Sequence, residues 1–317
     1  MTAGGVLNGR YQLAREVGAG GFARVYLTRD LLLQRRVALK VLHPQLADDV
    51  GVRDFRVRFD REAQTVAALD YPNILPVYDY GEADGLVYLV MPYVDGGTLF
   101  DRLRDQRTLP LPTVAAWIAQ AAAALDHAHR AGLVHRDVKP HNMLLRAADD
   151  RLLADFGIAK VLGNTDDQSR TGVIGTLAYM APEQFQGRVA PATDSYALGC
   201  VLFQLLTGAV PYPGPTEQVM YGHLVAPIPT LAARSGRPLP PGLKGVIDRA
   251  LAKRPEERFA SEVSELRRSQ YARSSIPHYR PFGHRLRTAD AQFSAIGAAN
   301  PHFYADSACI VQSSTEF

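Results

Sequence analysis

The rhythm of apolar residues changes part-way along the chain, and that change limits the fold more than any other feature. Up to about residue 90 the pattern is one of short runs rich in β-branched and aromatic residues: Tyr11–Val17, Ala23–Asp30, Arg36–Leu42, Ile74–Gly81 and Leu86–Met91. Such runs, bounded by Gly, Pro and Asp, predict strands. One helical stretch interrupts them, from Arg53 to Leu69, where Glu62, Val66 and Leu69 fall on one face. From about Gly96 to Leu266 the spacing turns helical. A long helix opens at Leu111-Pro112-Thr113 and ends near Gly132, and another runs from Asp194 to Gly208. Between them, His135 to Glu183 reads as loops, the usual carriers of function on a regular scaffold.

Within the strand-rich part, Gly18-Ala19-Gly20-Gly21-Phe22-Ala23-Arg24-Val25 joins two predicted strands. Glycines there can bring backbone N–H groups close to phosphate oxygens, and a plain hairpin turn is the alternative reading. The run leads into a strand and not a helix, which argues against a dinucleotide site or a P-loop. Further on, Val37-Ala38-Leu39-Lys40 places a lysine in an apolar strand. Lys40 either snorkels from an edge or points inward, where it needs an anion such as Glu62.

The densest chemistry lies in His135-Arg136-Asp137-Val138-Lys139-Pro140-His141-Asn142, followed by Asp155-Phe156-Gly157 and Ala181-Pro182-Glu183. These blocks match the protein-kinase signature position by position. With them the chain resembles the eukaryotic-like serine/threonine protein kinase family, in particular its bacterial members, over roughly residues 10 to 267. One departure is Ala23, where the third glycine of the Gly-rich loop is usual.

The resemblance implies an α+β, two-lobed protein kinase fold: a small antiparallel sheet lobe with one helix over a larger, mainly helical lobe, with ATP in the cleft. The implied kinase domain is 11–267, with small lobe 11–90, hinge 91–94 and large lobe 95–267. It also implies roles. Asp137 orients the acceptor hydroxyl and takes its proton, and Lys139 stabilises charge on the γ-phosphate. Asn142 and Asp155 offer hard oxygens suited to Mg²⁺, with Mn²⁺ as an alternative. Lys40, paired with Glu62, reaches the α- and β-phosphates. Val17, Val25, Ala38 and Leu144 sandwich the adenine, and Gly18, Ala19, Gly20, Gly21, Phe22 and Ala23 cover the phosphates. Met91 is the gatekeeper, and the backbones of Pro92 and Val94 meet the base edge.

Lys139, together with Gly175-Thr176 ahead of Ala181, resembles the Ser/Thr class, with Thr176 contacting Asp137 and Lys139. Asp194 matches the aspartate that anchors the catalytic-loop backbone. Tyr196 stands where a Trp is common, and Arg258 matches the partner of Glu183. Arg136 is expected to grip a phosphate on Ser169 or Thr171, placed there by activating autophosphorylation. Arg10, Leu33 and Asp79 resemble positions through which bacterial relatives pair by the back of the small lobe.

Two other readings are weaker. A pseudokinase would lack Lys40, Asp137 or Asp155, and all three are present. A small-molecule kinase of the same fold would lack the segment running from Asp155 to Glu183. Composition adds exclusions. A net charge of +3 without a basic, aromatic-interleaved stripe gives no case for nucleic acid. Cys200 and Cys309 are too few and too far apart for a disulfide framework or a metal site. No apolar run reaches the roughly 18 residues of a membrane span, and the first residues lack a signal-peptide pattern, so a cytoplasmic protein is expected. Residues 268–317 lack periodicity and are expected to form a disordered tail.

Overall fold

The computed structural model describes residues 4–20, 23–42, 52–106, 108–147, 150–156, 177–236 and 238–259, with backbone alone at 52–56 and 58. Six strands form one antiparallel sheet: β1 (Val6–Leu7), β2 (Tyr11–Ala19), β3 (Ala23–Asp30), β4 (Arg35–Leu42), β5 (Asp79–Ala83) and β6 (Leu86–Pro92), in the order β1-β2-β3-β4-β6-β5. Helix α1 (Val52–Ala67) turns Phe59, Ala63 and Val66 into the core. The helical part comprises α2 (Leu99–Asp105), α3 (Leu111–Arg130), α4 (Pro191–Thr207), α5 (Thr216–Leu224) and α6 (Gly242–Ala250). A two-stranded ribbon, β7 (Met143–Ala147) with β8 (Asp150–Leu153), adjoins it.

The sheet buries both faces. Val37, Leu39, Val41, Tyr88 and Val90 form one apolar cluster with Tyr11, Leu13 and Tyr26. Ala38, Leu42, Leu89 and Met91 point the other way, into the larger core that continues through α1, α3 and α4. This is the period-two alternation of a strand packed on two sides. Helix α3 buries Val114, Trp117, Ile118, Ala121 and Leu125, spaced to form one stripe that packs on α4. Gly132 follows α3 with φ +78°, the left-handed C′ position expected of it, and Gly208 caps α4 with φ +76°, where that helix was expected to end.

One expected strand is corrected. Ile74–Gly81 is not continuous: the strand paired with β6 begins at Asp79, preceded by one bond from the Tyr78 N–H to the Val90 carbonyl at 2.7 Å, and Ile74 makes a single parallel bridge to Leu153. Pro76, inside the run, lacks the N–H a ladder needs, and Leu75 donates its N–H to the Leu153 carbonyl at 2.9 Å instead. The β7–β8 ribbon and the short β1 were not expected from the pattern. The proposed tail, 268–317, lies outside the described residues.

Candidate active site

The site begins with a buried carboxylate. Asp194, in the first turn of α4, accepts the backbone N–H of His135 at 2.7 Å and that of Arg136 at 2.8 Å. His129 Nε2 lies 2.7 Å from the same carboxylate. These bonds hold Arg136 at φ +66°, a left-handed conformation that costs on the order of 1–3 kcal/mol in a residue with a Cβ. Gln184 Nε2 donates to the Arg136 carbonyl at 3.2 Å, so the kinked peptide is held on both sides. The anchoring role expected of Asp194 is thus present in full, with two partners, His129 and Gln184, that sequence reasoning missed. His129 lies a turn and a loop away from His135, and nothing in the linear pattern distinguishes it from a solvent-facing helix residue.

His135 is fully buried, and its ring packs at a tilt against Phe156, with centroids 4.5 Å apart. Its Nδ1 accepts the N–H of Asp137 at 3.3 Å, so Nε2 carries the proton and donates to the Ala154 carbonyl at 3.0 Å. Burial holds its pKa below the ordinary imidazole value, against the pull of Asp194 and Asp137, and the ring stays neutral. One side chain thereby ties the loop carrying Asp137 to the segment carrying Asp155.

The loop then presents its polar groups. Lys139 Nζ sits 2.9 Å from Asp137 Oδ2. Asn142 Nδ2 donates to Asp137 Oδ2 at 3.0 Å and to the Asp137 carbonyl at 2.8 Å. With its nitrogen turned to Asp137, Asn142 has Oδ1 as the atom for a cation. Asp155 has φ +61° and faces β4, where Lys40 Nζ lies 2.7 Å from its Oδ1. A carboxylate and an amide oxygen suit magnesium, which takes few protein ligands and completes its shell with phosphate oxygens and water.

The expected Lys40–Glu62 pair is not formed. The buried face of α1 is centred on Phe59, Ala63 and Val66, which leaves Glu62 at its half-buried margin. The left-handed turn at Asp155 brings a nearer carboxylate to the ammonium, and Lys40 pairs there.

Strand register assembles the rest. Gly18, Val25, Lys40 and Leu89 are successive cross-strand partners, as are Arg15, Leu27, Ala38 and Met91. Partners directly opposite project on one face, so Val25, Ala38, Lys40 and Met91 share a surface. Ala38 and Met91 are buried, Val25 and Leu144 are partly buried, and Val17 is exposed at the edge. Ala19 ends β2, Gly20 donates its N–H to the Ala23 carbonyl at 2.9 Å, and Ala23 begins β3. Pro92 ends β6, and Val94 follows in the connection to α2. After it comes Gly96, where a Cβ would fall 1.9 Å from the Leu145 carbonyl oxygen, so glycine alone allows this approach to β7. Gly21, Phe22, Ser169, Thr171 and Thr176 lie outside the described residues.

A second buried ion pair braces the floor. Arg258 meets Glu183 with two parallel bonds, 2.7 and 2.8 Å, and donates further to the carbonyls of Ala252, Ala192 and Lys253. Thr193 Oγ1 adds a third bond to Glu183. Burial works to raise the Glu183 pKa, and the Arg258 bonds more than offset it, so the carboxyl sits below its ordinary value. Tyr196, beneath the guanidinium at 4.8 Å, bonds through its hydroxyl to His223 Nδ1 at 2.9 Å, a use for the polar tip of the residue that replaces tryptophan.

With this geometry in place, the family model described as protein kinase domain matches residues 11–272. The chain is 40% identical over 261 residues to serine/threonine-protein kinase PrkC of Bacillus subtilis, covering 82% of this chain and 40% of that protein. It is 45% identical over 273 residues to serine/threonine-protein kinase PknJ of Mycobacterium bovis, covering 82% and 45%. Against serine/threonine-protein kinase PknB of Mycobacterium tuberculosis the identity is 43% over 277 residues, covering 84% and 43%. The chain spans less than half the length of these relatives.

Proposed function

Because the chain belongs to the protein kinase family, we propose that it transfers the γ-phosphate of ATP to serine or threonine hydroxyls of proteins, with magnesium. The observation that carries this reading is the Asp137 carboxylate, gripped by Lys139 and Asn142 in a loop whose backbone is fixed by Asp194. Asp137 takes the hydroxyl proton as the acceptor oxygen bonds to phosphorus and the bond from the γ-phosphorus to the ADP oxygen breaks. Lys139 neutralises charge on the moving phosphoryl group, and a pre-positioned cation needs no reorganisation to do so. Lys40 exchanges its contact with Asp155 for nucleotide phosphates. Asn142 and Asp155 would hold the magnesium, which would supply neutralisation of the phosphate oxygens.

The same reading assigns the base to the surface of Val17, Val25, Ala38, Met91 and Leu144, with the backbones of Pro92 and Val94 at its edge. It takes 11–267 as the catalytic unit, and Arg136 as the grip for a phosphate on Ser169 or Thr171 formed by autophosphorylation. Homodimer formation through the small lobe is part of this proposal; there, Arg10 is bound to Asp30 at 2.8 Å and Asp79 at 3.2 Å, and Leu33 is exposed. Among the described residues no helix is long and apolar enough to cross a membrane, and a cytoplasmic catalytic unit is proposed.

The test is incubation of purified protein with ATP and Mg²⁺ beside an Asp137→Asn variant, read by intact mass and peptide mapping. Phosphate on Ser or Thr in the wild type, with a rate lower by about 10²–10⁴ in the variant, is expected for a positioned base. Equal incorporation in both proteins, or none into a generic substrate, would sink the assignment.

A further inference from the structure

Beyond the nucleotide surface, the same face of the sheet carries three arginines. Arg29 on β3 stands directly opposite Arg36 on β4 and opposite Gln12 on β2. Arg15 on β2 stands opposite Leu27, which stands opposite Ala38. Cross-strand partners share a face, and Ala38 belongs to the core side of the sheet, away from Val37 and Leu39. Arg15, Arg29 and Arg36 therefore extend the face that holds Ala38 and Lys40, and all three are exposed. Arg36 lies four residue steps along β4 from Lys40, about 13 Å of extended chain, so the patch is distinct from the phosphates of a nucleotide at Lys40.

These arginines have weak or neutral partners. Arg29 donates to the uncharged Gln34 amide oxygen at 2.7 Å, and Arg15 to the Tyr93 hydroxyl at 3.4 Å. Arg36 lies 3.8 Å from Asp95 with side chains 67% and 71% exposed, a pair that contributes little in water. Its guanidinium also lies 5.5 Å from the Tyr93 ring. Other arginines of the sheet are differently placed: Arg10 is bound by Asp30 and Asp79, Arg24 by Glu16, and Arg35 lies over the Tyr78 ring at 3.8 Å. Like charges directly opposite on neighbouring strands repel. The patch thus concentrates positive charge at a cost to the sheet, with one distant carboxylate against three guanidinium groups.

We propose that Arg15, Arg29 and Arg36 form a docking patch for a phosphorylated segment of a partner protein. All three positions use arginine, whose planar fork pairs two oxygens of a phosphate at once. Arg29 and Arg36, side by side on adjacent strands, can share one phosphate dianion, and that anion removes their repulsion. Arg15 and the Tyr93 hydroxyl add donors at the border of the patch. A single carboxylate offers half the charge and two oxygens, too little to serve both arginines equally. Binding at this patch requires no phosphoryl transfer, so its test is independent of the catalytic assignment.

The probe is a fluorescein-labelled peptide pool, degenerate around a fixed phosphothreonine, titrated with the full chain by fluorescence anisotropy without nucleotide. Matched pools carry threonine or glutamate at the fixed position. The phosphothreonine pool is expected to bind at least about tenfold more tightly than either, as loss of a charge-assisted bond implies. Arg29→Glu/Arg36→Glu should weaken it by at least about tenfold, while Arg188→Glu/Arg254→Glu, the same charge change on exposed arginines elsewhere, leaves it intact. If the glutamate pair lowers the melting temperature, Arg29→Gln/Arg36→Gln is read in its place and must also weaken binding. Equal binding of the glutamate pool, equal losses in both double variants, or no preference for phosphate overturns the proposal. Displacement of the phosphopeptide by a short single-stranded oligonucleotide at lower concentration than by unlabelled phosphopeptide would also overturn it, assigning the patch to nucleic acid.

Discussion

Arg258 and Arg36 carry the same guanidinium, yet one is sealed inside the large lobe and the other stands in solvent on the sheet. Arg258 has no exposed side-chain surface and places its donors on Glu183 and three carbonyls. Arg36 has one long contact to Asp95. The contrast extends to their neighbourhoods. Around Asp194 and Glu183, each charge has several fixed partners, so geometry is held by burial and nothing exchanges. Around Lys40, Arg29 and Arg36, partners are single, neutral or exposed, and an arriving phosphate can replace them. A site for phosphate chemistry needs both: a frame that does not move, and cations that are not already committed.

Removing a partner from the frame should have the largest effect on stability. Arg258→Ala leaves the Glu183 carboxylate buried and unpaired, and a loss of about 3–5 kcal/mol is expected. Urea unfolding measures it, and a loss near zero would break the contrast between sealed and exposed arginines. Asp194→Asn comes next, since one amide oxygen cannot serve two backbone N–H groups and His129 together. About 1–3 kcal/mol is expected, with faster amide exchange at His135 and Arg136; unchanged exchange would show that the loop holds its kink by other means.

A smaller effect comes from His223, where burial and then the Lys253 ammonium hold the pKa down to about 4. The neutral ring is favoured in the folded chain, so its contribution is complete above the unfolded value of 6.5. It declines as pH falls from there toward 4, by about 1.4 kcal/mol per pH unit. Stability compared at pH 7 and pH 5 should therefore fall less in His223→Gln than in the wild type; equal slopes would place the proton uptake elsewhere. The smallest change belongs to the exchangeable side of the comparison. Lys40→Met removes one half of a single, partly buried ion pair whose carboxylate keeps access to water, and should cost less stability than Arg258→Ala, while phosphate transfer is lost. A large destabilisation there would make Lys40 part of the frame and sharpen the division in a different place.

Much of the frame was legible because its parts are identified by residue type at fixed spacing. The pairing of Arg258 with Glu183 and the anchoring of the loop by Asp194 both follow from motif positions. The Lys40 partner was not legible in the same way. Helix periodicity places Glu62 near the core, but whether it or Asp155 reaches the ammonium depends on how α1 lies on the sheet and on the left-handed turn at 155. The same limit hid His129 and Gln184, whose roles arise only when α3 and the 3₁₀ turn Pro182–Gln186 close around the loop. Ile74 to Tyr78 read as strand because most of its residues are β-formers, and Pro76 withheld a donor that a ladder requires.

By itself, the amino-acid sequence determined the family, the strand-then-helix order and the identity of the groups near the chemistry, because these depend on local periodicity and on residue types at set separations. The tertiary structure decided which charges are sealed and which stay open. Strand register aligned Arg29 with Arg36 and Val25 with Lys40, and packing buried Arg258 while leaving Arg36 in water. Charge is written in the sequence, but its dielectric surroundings and its partners are set only when distant segments meet.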